Sequence, residues 1–146
     1  MLVKVTDLEK TELYPEIIKK IVRDNLDDAK DFILDAEDLA KGYLSKYDLK
    51  ALFGTDTEEP THINRGLKKQ IKAIAAWYLV KKANPNVNIE LFRIDYEDAI
   101  KWLEGVQSGS INPELPYRPD DPDTPEDESQ GQVWWGSNIK RKQNFD

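Results

Sequence analysis

A chain of 146 residues, 39% hydrophobic and 34% charged, is sized for one domain with room for an appendage. A net charge of −7 argues against a nucleic-acid-binding surface as its main business, and the lack of cysteine excludes disulfides and thiolate metal sites. Charges scattered through Met1–Lys10 are unlike a signal peptide, and no apolar run approaches the roughly 20 residues needed to cross a bilayer, so a soluble cytoplasmic product is expected.

The first stretch, "TDLEKTELYPEIIKKIVRDN", predicts two short helices. Thr6 is placed to cap the first, with Glu9 completing a capping box, and Pro15 suits the first turn of the second, where its missing N–H costs nothing. "LDDAKDFILDAEDLAKGYLSKY" then carries Ala29, Phe32, Ile33, Ala36, Leu39, Ala40, Tyr43, Leu44 and Tyr47 at helical spacing, one apolar face of a long helix. Gly42 within it costs about 1 kcal/mol of helix propensity, for which a closely packed neighbour is the expected reason.

"DLKALFGTDTEEPTHIN" reads as a loop holding one helical turn. From Asn64 the helical pattern resumes, with Ile63, Leu67, Ile71, Ile74, Ala75, Tyr78 and Leu79 in phase and Asn84-Pro85 as its stop. Asn88 caps a further helix whose stripe is Phe92, Tyr96, Ala99, Ile100, Leu103 and Val106, terminated by Gly109. No segment alternates like a strand for long. The expected fold is all-α: a small bundle of three main helices plus short ones.

After Ser110 the composition changes. "INPELPYRPDDPDTPEDESQGQ" holds five prolines and an acidic run from Asp120 to Glu128, too little apolar surface to offset chain entropy. The expected organisation is a helical domain over residues 1–111 and an extended tether over 112–146. At about 3.1 Å per residue its first ~20 residues span ~60 Å. The chain then ends in "QVWWGSNIKRKQNFD". Trp134 and Trp135, the basic triplet Lys140, Arg141 and Lys142, and Phe145 are read as a docking segment for another subunit, since tryptophan and arginine dominate binding hot spots. The competing readings are a tail folded back on its own body and stacking of the tryptophans on nucleic acid.

Chemistry is sparse. Asp27-Asp28-Ala29-Lys30-Asp31 matches DDxxD, the magnesium–diphosphate motif of isoprenoid synthases, but Asp24, Asp28, Asp31, Asp35 and Asp38 also continue the solvent face of an acidic helix. His62, the single histidine, has no cysteine, serine or ligand spacing around it and is assigned a structural or surface role. Trp77 and Trp102 lie in amphipathic helices and are expected to pack on the bundle. The expectation is no catalytic residue, no cofactor and no metal.

Taken together, "AEDLAKGYLSKYDL", "INRGLKKQIKAIAAWYL" and "RIDYEDAIKWLEGVQSGSI" resemble the head–tail connector (adaptor) proteins of tailed bacteriophages, the Mu-like prophage branch above all. The likeness is carried by Gly42–Tyr47, Leu67–Leu79 and Tyr96–Gly109 and covers residues 1–111; the tail departs from the shorter members. The resemblance implies a virion protein of the neck, made in the host cytoplasm, that forms a homo-oligomeric ring of about twelve copies under the portal protein. Such a ring extends the DNA channel, lets the genome pass without specific binding, and docks stopper or tail proteins. The alternative is a helical interaction module binding a single protein partner through its C-terminal tail; a small metal-dependent enzyme using Asp27, Asp28 and Asp31 ranks third.

Overall fold

In the computed structural model, most of the helices begin where a side chain satisfies, or a proline dispenses with, a free N–H group. The structure describes residues 1–83 and 86–119. Among them are six helices: α1 (Val5–Thr11), α2 (Pro15–Val22), α3 (Leu26–Tyr43), α4 (Leu49–Phe53), α5 (Arg65–Lys82) and α6 (Ile89–Ser108). Pro15 opens α2. Asp48 accepts from the Ala51 N–H at 3.1 Å, Asn64 from Leu67 at 2.8 Å and Asn88 from Glu90 at 3.2 Å. At the other end of α6, Gly109 takes φ +90, a left-handed cap that suits glycine. The all-α fold therefore stands.

Some local expectations do not. Helix α1 is capped by Asp7, whose carboxylate accepts from the Lys4 N–H at 2.9 Å, so Thr6 and Glu9 play no such part. Gly42 lies exposed with nothing within 4 Å of where a Cβ would sit, so no close neighbour explains it. Ile63, placed on the apolar stripe, lies before the helix begins and is exposed. Asn84-Pro85, read as the stop of α5, lies outside the described residues; the helix ends at Lys82.

The core is built around α5. Leu67, Ile71, Ile74, Ala75, Ala76, Leu79 and Val80 are all buried, which covers most of its circumference. It packs against α3 and α6, and α1 and α2 also lie on it. Burying each of its larger aliphatic side chains is worth about 1.5–3 kcal/mol. Helix α3 turns Ala29, Ile33, Ala36 and Ala40 inward, and α6 turns Ala99, Leu103 and Val106. Polar ties fix α1 on α5: Lys68 lies 3.3 Å from Asp7, and Lys72 donates to the Thr11 hydroxyl at 3.0 Å. The Tyr96 ring sits 5.9 Å from Trp77 and 6.2 Å from Tyr78, while Trp77 and Trp102 are half-buried against the core.

The compact unit runs from Met1 to Pro116, five residues beyond the boundary read from composition at 111. Leu115 is buried, Ile111 packs over Gly105, the Asp48 N–H donates to the Pro116 carbonyl at 2.8 Å, and His62 Nε2 lies 3.0 Å from the Glu114 carbonyl. Two prolines and one leucine thus fold back where a tether was expected. Residues 117–119 are the described part of a second unit that starts at Tyr117.

A chain ending at Pro116 should melt with the full-length protein, whereas one ending at Ile111 should lose about 2–4 kcal/mol through the missing Leu115 burial and the loss of the carbonyls that meet the Asp48 N–H and the His62 ring. Denaturant titration of the three lengths measures this. Gly42→Ala, at an open helical site, should raise stability by about 0.5–1 kcal/mol in the same assay.

Candidate interaction site

Glu37 is the one buried charged side chain among the described residues, 2% exposed. It follows Ile33 by four positions and precedes Ala40 by three, so it falls inside the apolar stripe of α3. Its Oε2 accepts from the Leu2 N–H at 2.9 Å and the Val3 N–H at 3.0 Å. Leu2 and Val3 are buried as a result, and an extended segment with no helical partners of its own is held against the bundle. Burial pushes the Glu37 carboxyl above the ordinary glutamate value, against the opposing pull of the Val3 and Leu2 N–H groups and Lys41. Asp7 moves the other way: burial works against its charge, but the Lys4 N–H and Lys68 outweigh it and hold it low.

The fixed N-terminal segment, α3 and the loop after α4 enclose a groove of about 640 Å³. Met1, Val5 and Leu34 give it apolar surface, with the Phe53 ring beneath. Leu34 is 39% exposed although its neighbours in sequence are charged or core. Helix α3 adds Lys30 and Lys41, the Lys41 ammonium lying 5.4 Å from the centre of the Phe53 ring. The loop adds Asp56, Glu58 and Glu59. Gly54, at φ +77, allows the loop to turn tightly: a Cβ there would run into the backbone of Glu58 and Pro60. The Thr55 N–H donates to the Glu58 carbonyl at 2.8 Å, and the Thr55 hydroxyl accepts from the Glu58 N–H at 3.0 Å. Ion pairs anchor the loop's acids, Glu59 to Lys4 at 3.1 Å and Glu58 to Lys50 at 3.2 Å.

Apolar side chains also stand in solvent elsewhere. Leu26 opens α3, and α6 carries Leu91 and Ile94, 59% and 46% exposed. Of the solvent face read from the sequence, Asp31, Asp35 and Asp38 lie exposed on α3 and Asp24 is exposed just before it; Asp27 joins the three on α3 to make an exposed acidic stripe. Asp28 is half-buried and accepts from the Asn25 side chain at 3.2 Å, and no group of three or more potential metal ligands occurs among the described residues. His62 is exposed and ties the loop to the segment around Glu114. Trp134, Trp135, Lys140, Arg141, Lys142 and Phe145, the docking residues read from the sequence, lie outside the described residues. The groove itself was missed. Its one signal was an acid in phase with the core positions of α3.

The chain matches the family model described as Bacteriophage Mu, Gp36 over residues 2–133, and it belongs to that family. The match runs beyond residue 111, where the resemblance read from the residues ended, and stops just short of Trp134. Neither a curated protein nor a solved structure matches the chain significantly. No helix among the described residues is long and apolar enough to cross a membrane.

Glu37→Ala should destabilise the fold by about 2–4 kcal/mol by orphaning two buried N–H groups, whereas Glu37→Gln, which keeps an acceptor, should stay within about 1 kcal/mol of the parent at neutral pH. The sign with pH follows from the raised value. The stabilising contribution of Glu37 is fully present below the usual 4.5 and is lost as pH rises through the folded value, and Glu37→Gln should remove that slope in pH-dependent melts. Replacing Asp27, Asp28 and Asp31 together by asparagine should leave the response of the melting temperature to magnesium unchanged; a saturable rise in the parent that the variant lacks would instead establish a metal site.

Proposed function

We propose that this bacteriophage Mu family chain is a structural head–tail connector of a phage or prophage particle, without catalytic chemistry. In this reading it forms a homo-oligomeric ring, of about twelve copies as in similar adaptors, below the portal protein in the virion neck. The ring extends the DNA channel and offers a platform to stopper or tail proteins.

The observation that carries the reading is the presence of solvent-exposed leucine and isoleucine on two separate helices: Leu26 and Leu34 on α3, Leu91 and Ile94 on α6. A ring contact is heterologous, so each copy needs two different surfaces, one for each neighbour. A module with a single partner needs one. The acidic stripe Asp27, Asp31, Asp35 and Asp38 suits a particle through which DNA must slide, because like charge keeps the phosphate backbone from sticking.

The parent chain at high protein concentration, alone or with portal protein, should give closed rings by light scattering and negative-stain microscopy. Leu91→Asp with Ile94→Asp should reduce association at least tenfold while leaving the protomer's melting temperature within a few degrees, since both side chains are exposed in the protomer. A parent that stays monomeric with portal at all concentrations, or a double variant that still closes rings, would overturn the reading.

A further inference from the structure

We propose that the N-terminal arm, residues 1–22, is exchanged between copies of this chain: it leaves its own body at the turn Arg23–Asn25 and packs on the α3 and α5 surface of a neighbour. The inference deepens the ring reading and rests on its claim that copies associate. The first observation is a strained hinge. Arg23 and Asp24 take φ +54 and +65, and they are two of the three non-glycine residues with positive φ among the described residues. L-residues enter this region at a steric cost, and ordinarily one at a time. Both side chains are exposed and make no hydrogen bond or ion pair among the described residues. The turn is closed by backbone alone, the Asp24 N–H donating to the Lys19 carbonyl at 2.9 Å. What holds two such residues there is the docking of the arm on the body.

The second observation is that the hinge suits a different conformation. Val22-Arg23-Asp24-Asn25-Leu26 holds neither glycine nor proline. Helices α4, α5 and α6 start on a side-chain acceptor, but Asn25 gives α3 none, and its amide donates to Asp28 at 3.2 Å instead. With the turn made helical, the first N–H groups of α3 meet the last carbonyls of α2. The two then run as one helix from Pro15 to Tyr43, about 43 Å long. Straightening removes both left-handed residues and carries the arm off its own body.

The third is the receiving surface. Helices α1 and α2 lie on α3 and α5, with Leu8, Ile18 and Ile21 buried. Glu37 takes the Leu2 and Val3 N–H groups, Lys68 lies 3.3 Å from Asp7, and Lys72 donates to Thr11 at 3.0 Å. Each of these contacts joins arm to body, and each forms equally well with a neighbour's arm. They cancel in the comparison, so the hinge and the association of copies decide it. Each copy gives one arm and receives one, the heterologous arrangement that closes into a ring.

The chain has no cysteine, so introduced thiols report alone. Full-length protein carrying both Thr11→Cys and Lys72→Cys is assembled with portal protein and treated with a short bis-maleimide. Cross-links should join successive chains, with internally closed chains a minor product. Arg23→Gly with Asp24→Gly, which relieves the turn and weakens a continuous helix, should raise the concentration needed for assembly at least tenfold. Arg23→Ala with Asp24→Ala, which favours the helix over the turn, should lower it by about threefold or more. Shifts in the same direction from both pairs, or no shift, would overturn the proposal. Rings in which most chains close internally would remove the exchange and leave the ring. Inter-chain cross-links in a closed dimer would sustain the exchange and overturn the ring, whereas a parent that stays monomeric and closes internally at every concentration would remove both.

Discussion

A helix that is apolar around most of its circumference has to be sheathed, and α5 imposes that demand on the whole compact unit. Leu67, Ile71 and Ile74 need neighbours on one side, Ala76 and Val80 on another. Helices α3 and α6 supply the flanks, α1 and α2 the rest. Alanines at 29, 36 and 40 of α3 and 99 of α6 leave little side chain at the contacts, so the backbones can approach closely. Because the surrounding helices spend one face each on α5, their outer faces are free of packing duty. That is where the unusual features lie: aspartates along α3, and exposed Leu91 and Ile94 on α6.

The N-terminal segment joins this assembly by a different route. It has no helix of its own before Val5, so its N–H groups need acceptors from elsewhere. One carboxylate oxygen of Glu37 meets two of them. An acid is a costly choice for a buried position, and its raised proton affinity is the sign of that cost. The return is positional. With Leu2 and Val3 pinned, Met1, Lys4 and Val5 are set along one edge of the groove, and Lys4 reaches the loop at Glu59.

What could be read beforehand follows the range of the forces involved. Helix stripes and local caps depend on neighbours a few positions away, so the three long helices, Pro15, Asn88 and Gly109 were legible. The return of Ile111–Pro116 was not. Its composition is proline-rich, and what holds it is a set of partners far off in sequence, His62 and Asp48 among them. Glu37 was hidden for the same reason, since its partners lie more than thirty positions away. Ile63 shows the converse error. It keeps the period of α5 yet precedes the cap at Asn64, and periodicity without a helix beneath it predicts nothing about burial. Family membership, in turn, rests on the pattern of the whole chain and not on any one site.

The tight turn at Gly54 divides the groove into parts that can and cannot change. Thr55 to Glu59 are exposed, and their turn is held by its own backbone and hydroxyl contacts, so the charge they present can be rewritten at the cost only of the exposed ion pairs from Glu59 to Lys4 and Glu58 to Lys50. Residue 54 has no such latitude, since any side chain there would meet the backbone of Glu58 and Pro60. Among relatives the loop should therefore drift in charge around a fixed pivot, so that the face it presents can vary while the fold behind it stays the same.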